Sequence, residues 1–138
     1  MIVKPPRDVA EAFWQAAMRR ERPVPFIAEA PACWLASFDP LERLCKGKWE
    51  AFHFFGKQEL RNCPELRGLS PEELMLIEWD SRNAGPGCVE HHRRFDKLAD
   101  AGPGTDLVVP RSSLPADVEE FIAEYGIVSL ASRRFPLC

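Results

Sequence analysis

The chain has 138 residues, of which 46% are hydrophobic and 28% are charged, and its formal net charge is −3. This length favours a single domain with a small core, since domains commonly contain about 100–150 residues. The acidic balance argues against a protein that holds nucleic acid by bulk charge alone. No apolar run approaches the ~18 residues of a membrane span, and the N-terminus lacks the hydrophobic block of a signal peptide. We therefore expect a cytoplasmic protein without membrane association.

The first predicted element is a helix over residues 8–20. Asp8 can cap this helix, and Phe13 and Ala17 lie on its apolar face. The breadth of that face favours packing against a core over insertion into a DNA groove. Residues 21–31 are rich in proline, which predicts an irregular link to the rest of the chain.

A short strand is predicted over residues 49–55, WEAFHFF, because aromatic residues dominate this segment. In a strand, successive side chains point to opposite faces. Alternation therefore places His53 and Phe55 on one face, and Phe52 and Phe54 on the other.

Two further helices have clear boundaries in the sequence. Residues 70–79 begin with Ser70 as a cap, and Glu73 completes a capping box with it. Residues 114–126 form an amphipathic pattern that ends at Gly126, a residue suited to a helix C-terminus.

A second short strand is predicted at residues 107–110, LVVP. Helices and strands together indicate an α+β fold. We divide it into an N-terminal helix and linker (residues 1–31), a core (residues 32–100) and a strand–helix extension (residues 101–138), within one compact domain.

The five cysteines are an odd number, and in a reducing compartment they are better interpreted as metal ligands or buried thiols than as disulfides. Cys88 and His91 have a C-x-x-H spacing that lets both side chains reach one ion at the start of a helix. Cys33 and Cys45 would complete a set of three cysteines and one histidine, which is a common closed zinc site. The alternative is that the cysteines are simply buried apolar residues. We favour zinc, because Pro- and Gly-rich segments need such a cross-link.

His92 and Asp96 are four residues apart, so on a helix they share a face and can chelate one divalent ion. An imidazole and a carboxylate suit Mg²⁺, Mn²⁺ or Zn²⁺. A surface ion pair, worth a few tenths of a kcal/mol, is the alternative.

His53 lies among aromatic residues in the predicted strand. It is either a core histidine or a neutral imidazole near a cation, which could act as a general base and deprotonate water.

The order of these residues resembles the HNH nucleases, the ββα-metal group. WEAFHFFGKQELR is similar to the family's first strand, and DSRNAGPGCVEHH is similar to its second half, where an asparagine precedes a Cys-x-x-(Cys/His)-His helix start. The spacings from Asn83 to Cys88 and from Cys88 to His92 match that pattern. The resemblance covers residues 33–97 and implies a small ββα-metal core with a structural zinc site and flanking helices.

By this resemblance, His53 is the general base and His92 binds the catalytic ion. Asn83 either orients the loop that holds the base or touches the metal. The implied ligands of the structural zinc are Cys33, Cys45, Cys88 and His91.

The chain departs from the family at Phe52, where the family places an aspartate or histidine that binds the metal. Phenylalanine cannot coordinate an ion. Asp96, one helical turn after His92, is the expected replacement, and Asp80 is a weaker candidate.

The resemblance implies hydrolysis of phosphodiester bonds in DNA, with double-stranded DNA as the expected substrate. The expected location is the cytoplasm of a bacterium or of a phage-infected cell. It implies a structural Zn²⁺ and a catalytic Mg²⁺ or Mn²⁺. The candidate phosphate contacts, each of which could equally be solvated surface charge, are Lys57, Arg61, Arg82, Arg93 and Arg94. Two alternatives remain: a catalytically degenerate HNH fold that binds nucleic acid or a protein partner, and a zinc-binding structural domain without a nucleic-acid role.

Overall fold

The computed structural model describes residues 3–20, 33–41, 44–96 and 107–137. In these ranges the chain forms six α-helices and a two-stranded antiparallel sheet, so the mixed class is confirmed. The predicted link at residues 21–31 lies outside the described residues. The elements are α1 (Arg7–Arg19), β1 (Trp49–His53), α2 (Lys57–Arg61), α3 (Pro71–Glu78), β2 (Ala84–Cys88), α4 (Val89–Asp96), α5 (Ala116–Tyr125) and α6 (Val128–Arg134). None of the described helices combines the length and the apolarity needed to cross a membrane.

Helix α1 matches the predicted helix within one residue at each end, and Phe13 and Ala17 are buried as predicted. The prediction that Asp8 caps the helix was wrong. Pro6 occupies the cap position, and its carbonyl accepts the N–H of Ala10 at 3.0 Å. Asp8 instead lies in the first turn, where the helix dipole favours a carboxylate.

The two-stranded sheet of β1 and β2 lies between α1 on one face and α4 on the other. His53 pairs with Ala84 across the strands. On one face, the ring of Phe13 from α1 stacks on His53, with 4.4 Å between ring centroids. On the opposite face, Phe95 from α4 packs against Phe52 at 5.2 Å. The two faces of β1 therefore contact different helices, as alternation requires.

Strand β1 ends at His53, two residues before its predicted end. The N–H of Phe54 donates to the carbonyl of Asn83 at 2.9 Å, and the chain then bends. Phe55 consequently enters the main core, where its ring packs against Phe135 at 5.3 Å. The prediction that Phe55 shares a face with His53 was wrong, because alternation applies only while the strand continues.

Gly85 pairs with Phe52 across the two strands, and its lack of a side chain leaves the space that the Phe52 ring occupies. A Cβ atom at position 85 would lie 2.3 Å from Cζ of Phe52. We expect Gly85→Ala to destabilise the protein by about 1–3 kcal/mol, the usual effect of overpacking. Urea unfolding would measure this change. Because the clash involves one ring, the double variant with Phe52→Leu should lose less stability than the two single changes predict; additive effects would contradict the assigned contact.

Both helices with clear sequence boundaries are confirmed. At α3, Ser70 Oγ accepts the N–H of Glu73, and the Glu73 carboxylate accepts the N–H of Ser70, each at 3.1 Å. Helix α5 ends at Gly126, which has φ of 64° and lies in the left-handed region. Helix α6 was not predicted from the sequence.

The predicted strand at residues 107–110 was wrong. The segment forms no strand, although Leu107 and Val109 are fully buried in the main core. Alternating burial therefore arises here without a hydrogen-bonded partner strand.

Arg20 links three elements at the end of α1. Its Nε donates to the carbonyl of Ala84 at 2.7 Å, and its two terminal nitrogens donate to the Asp117 carboxylate at 2.8 and 2.9 Å. The arginine side chain is only 8% exposed. This ion pair, in which Arg20 is nearly buried and Asp117 is partly exposed, links α5 to β2.

Candidate functional site

Three cysteines and one histidine converge beside the end of β2. The ligand atoms of Cys33, Cys45, Cys88 and His91 all lie within 4.8 Å of one another. Nδ1 of His91 is 3.0 Å from the sulfur of Cys88, 3.5 Å from that of Cys33 and 3.7 Å from that of Cys45. Tetrahedral ligands about 2.3 Å from a zinc ion stand ~3.8 Å apart. The predicted convergence is confirmed, and these four residues, termed the Cys/His cluster below, could bind one metal ion.

Separate segments supply the cluster. Cys33 directly precedes the 3-10 helix Trp34–Phe38, Cys88 ends β2, and His91 follows in the first turn of α4. The N–H of Cys33 donates to the sulfur of Cys45 at 3.3 Å, and the N–H of His91 donates to that of Cys88 at 3.4 Å. Such bonds stabilise the thiolate, which is the form that binds metals.

The thiols of the cluster shift one another's pKa values. A hydrogen bond with the Cys33 thiol lowers the pKa of Cys88 to about 3, and the same interaction raises the pKa of Cys33. Burial raises the pKa of Cys45. A cation at the centre would supply the positive charge that lets all three sulfurs ionise.

Asp39 lies behind the cluster and was not predicted from the sequence. Its Oδ2 is 3.2 Å from Nε2 of His91, and both side chains are fully buried. The one signal in the sequence was its place between Cys33 and Cys45, six residues from each. Nothing local distinguishes it from a loop aspartate at the surface.

His92 and Asp96 share a face of α4 as predicted, with His92 Nε2 3.0 Å from Asp96 Oδ2. The other ring nitrogen, Nδ1, lies 2.9 Å from Oε1 of Glu50 on β1. Burial opposes protonation of His92, but these two carboxylates outweigh it and raise its pKa. Because Glu50 and Asp96 lie at opposite nitrogens of the ring, they cannot both bind an ion that His92 holds.

Among the residues that the structure describes, only the Cys/His cluster brings three or more metal-binding side chains within reach of one ion. His92 and Asp96 remain a pair. The catalytic ion that the sequence predicts therefore has two candidate protein ligands here, and its remaining ligands would be water or substrate oxygens.

The His53 imidazole lies between two aromatic rings. Phe13 stacks on it, and Trp79 contacts it edge-on at 4.9 Å. Its Nε2 is buried without a hydrogen-bond partner, and the closest approach of Glu78 Oε2 is 3.6 Å. Burial lowers the pKa of His53 to about 4. The ring is thus neutral at pH 7, and one of its two nitrogens carries no proton.

Asn83 holds the chain segment that follows His53. Its Oδ1 accepts the N–H of Phe55 at 2.8 Å, and its Nδ2 donates to the carbonyls of Phe55 and Glu78 at 3.0 and 2.8 Å. The side chain is fully buried. Of its two predicted roles, orientation of the loop matches these contacts, since the amide is already used by backbone groups.

We expect Asn83→Ala to destabilise the protein by about 3 kcal/mol or more, because it leaves buried backbone groups of Phe55 and Glu78 without partners. Chemical denaturation would measure the change. Ser70→Ala is a suitable control, since it also removes a side-chain bond to backbone but at an exposed helix cap, where the expected loss is about 1 kcal/mol. Equal losses for the two variants would contradict the central role of Asn83.

Phe52 occupies the position where the resembled family carries a metal ligand, and here it is fully buried. Its ring lies 6.1 Å from that of His92, between the two-stranded sheet and α4. The residue therefore supplies apolar contact between the sheet and the helix of His92 and Asp96.

A cavity of about 840 Å³ joins the ends of β1, α3 and α4. His53, Glu78, His92 and Asp96 line one part of it, so the structure brings the predicted base and the predicted ion ligands to one space. Glu78, the last residue of α3, was not predicted. Burial raises its pKa, against the lowering effect of Lys57 and Arg61 nearby.

The predicted phosphate contacts differ in their surroundings. Arg82 forms ion pairs with the carboxylates of Asp80 and Glu124. Asp80, the weaker candidate for the replacement ligand, therefore pairs with Arg82 and does not line the cavity with His92 and Asp96. Arg93 and Arg94 both pair with Glu90.

Basic residues also line the cavity. Lys57 was predicted, whereas Arg133 and Arg134 were not. Arg134 is buried against the Phe95 ring, with its guanidinium carbon 3.8 Å from the ring centroid, and Nη1 donates to the Phe95 carbonyl. It is a structural residue, and Lys57 and Arg133 are the better candidates for a substrate anion.

Comparison with known proteins gives no match to a protein-family model, to a curated protein or to a solved structure. The functional assignment therefore depends on the geometry of the Cys/His cluster and of the cavity beside His53.

Proposed function

We propose that the Cys/His cluster holds a structural zinc ion. Three sulfurs and one imidazole nitrogen, all within 4.8 Å of one another, form a donor set that suits Zn²⁺. All four positions are used by protein, and Cys33, Cys88 and His91 are fully or almost fully buried, so no open position remains for a substrate. This arrangement favours a structural over a catalytic role.

On this scaffold the chain acts as a metal-dependent phosphodiesterase of the HNH type, with DNA as substrate. The observation that carries this proposal is His53, whose buried Nε2 makes no hydrogen bond, in a cavity shared with His92 and Asp96. Strand β1 with His53, strand β2 and helix α4 with His92 follow one another along the chain, with α2 and α3 between the strands, and a strand, a strand and a helix in this order are also what the resemblance implies.

In the proposed reaction, neutral His53 accepts a proton from the attacking water. His92 and Asp96 would hold a divalent ion such as Mg²⁺ or Mn²⁺, and this ion would stabilise the charge that develops on the phosphate and on the leaving oxygen as the water oxygen displaces it. Asn83 positions the turn after His53 through its bonds to Phe55. Asp96 thereby takes the part of the ligand that Phe52 cannot supply.

A plasmid-nicking assay with Mg²⁺, Mn²⁺, Ni²⁺ and Zn²⁺ tests the proposal. Metal-dependent nicking that disappears in a His53 variant supports it. Asp96→Ala should weaken Mn²⁺ binding, measured by titration; unchanged affinity would contradict the role of Asp96 as the replacement ligand.

The second candidate is a zinc-stabilised module that binds nucleic acid or a protein without cleaving DNA. The burial of Phe52 at the ligand position favours it, as does the pairing of Arg82, Arg93 and Arg94 with carboxylates. Such a protein would shift DNA mobility, or bind a protein partner, while producing no nicks with any ion.

A further inference from the structure

We propose that Asp39 is a positioning residue of the metal centre, which orients the His91 imidazole so that Nδ1 is the atom that binds the metal. The inference rests on the zinc site proposed above and assigns a role to a residue outside the four ligands. It also specifies which ring nitrogen carries the proton.

The geometry places the carboxylate and the sulfurs on opposite sides of one ring. Nε2 of His91 lies 3.2 Å from Oδ2 of Asp39, whereas Nδ1 faces Cys88 at 3.0 Å. The Asp39 and His91 side chains are fully buried. A carboxylate in such a place requires hydrogen-bond donors, since an unpaired buried charge is strongly unfavourable.

The contact also selects a tautomer. A neutral imidazole carries a proton on one nitrogen only. With Nε2–H donating to Asp39, the lone pair of Nδ1 is directed at the three sulfurs. Carboxylates that accept from a metal-bound histidine fix the orientation of the ring and strengthen it as a ligand.

The carboxylate itself is held in place by its own chain. Its Oδ1 accepts the N–H of Leu41 at 3.0 Å. Asp39 directly follows the 3-10 helix Trp34–Phe38, and Cys33 directly precedes it. One short element therefore delivers both a ligand and the residue that supports another ligand, so folding of this element organises two sides of the centre together.

The tautomer can be read directly in the wild-type protein. The chain has only three histidines, so long-range ¹H–¹⁵N spectra of the zinc-loaded protein can resolve each ring. We expect His91 to show a metal-bound Nδ1 and a protonated, slowly exchanging Nε2. A metal-bound Nε2 would overturn the proposal.

Zinc affinity, measured by competition with a chromogenic chelator, tests the energetic role. We expect Asp39→Ala to weaken Zn²⁺ binding by about 10–100-fold, the usual effect of losing such a partner. Asp39→Asn keeps a carbonyl acceptor and should lose less. Cobalt-substituted Asp39→Asn should retain the spectrum of a tetrahedral site with three sulfurs, because the ligands are unchanged.

Asp117→Ala is the control, since it removes a partly exposed carboxylate that pairs with the nearly buried Arg20 and lies outside the Cys/His cluster. Unchanged zinc affinity in Asp39→Ala, or equal weakening in both variants, would overturn the positioning role. If Asp39→Ala does not fold, Asp39→Asn and the tautomer measurement decide. Wild-type protein that binds no zinc would instead contradict the zinc site itself.

Discussion

Removal of zinc from the Cys/His cluster is expected to unfold the unit formed by β1, β2 and α4. The cluster connects Cys33 and Cys45 with Cys88 and His91, and the sheet has only two strands, which are marginally stable without further support. Apparent binding free energies of structural zinc are about 10–16 kcal/mol, comparable with the ~5–15 kcal/mol that stabilises a whole domain. Far-UV circular dichroism with and without a strong chelator, under reducing conditions, measures the effect.

A matched pair of cysteine variants separates metal loss from thiol loss. Cys88→Ser removes a ligand and should abolish stoichiometric zinc and cooperative melting. Cys63→Ser changes a buried thiol that donates a hydrogen bond to Glu65 and lies outside the cluster. The zinc content of this variant should therefore stay at one ion per chain. A chelated protein that melts at the same temperature as untreated protein would show that the cluster holds no structural metal.

His53→Phe is expected to reduce DNA nicking by about 10²–10⁴-fold, the range that general-base catalysis contributes. Phenylalanine retains an aromatic ring between Phe13 and Trp79 but cannot accept a proton. Its thermal midpoint should therefore stay closer to that of wild type than the midpoint of His53→Ala, which leaves a void between the two rings. Nicking rates and melting curves on the same preparations separate catalysis from packing.

Chemical rescue gives a further readout for His53. In His53→Ala the void between Phe13 and Trp79 adjoins the cavity of about 840 Å³ that His53 lines, so a free imidazole can enter the position of the lost ring. Added imidazole should restore part of the nicking activity to His53→Ala but none to His53→Phe, in which the space is filled. Full activity in either variant without imidazole would exclude His53 as the base.

Local patterns in the sequence determined the elements whose signals are complete within a few residues. The capping box of Ser70 and Glu73 determined the start of α3, and Gly126 determined the end of α5. The C-x-x-H spacing placed Cys88 and His91 within one turn of each other. The four-residue step between His92 and Asp96 placed both on one face of α4. Each of these depends on backbone geometry that repeats within one or two helical turns.

Contacts between distant segments required the tertiary structure. The sequence named Cys33 and Cys45 as ligands together with Cys88, but only the tertiary structure shows that their sulfurs converge. The contact of Asp39 with His91 and that of Glu50 with His92 were not predicted. It also misplaced a strand at residues 107–110, where burial alternates without a partner strand. The composition and spacing thus determined a mixed helix-and-strand chain with two candidate ligand sets, the Cys/His cluster and the pair of His92 and Asp96, whereas the packing of distant segments decided which side chains meet. The physical reason is that side-chain periodicity is a property of neighbouring residues, while burial, pKa and metal geometry depend on segments tens of residues apart.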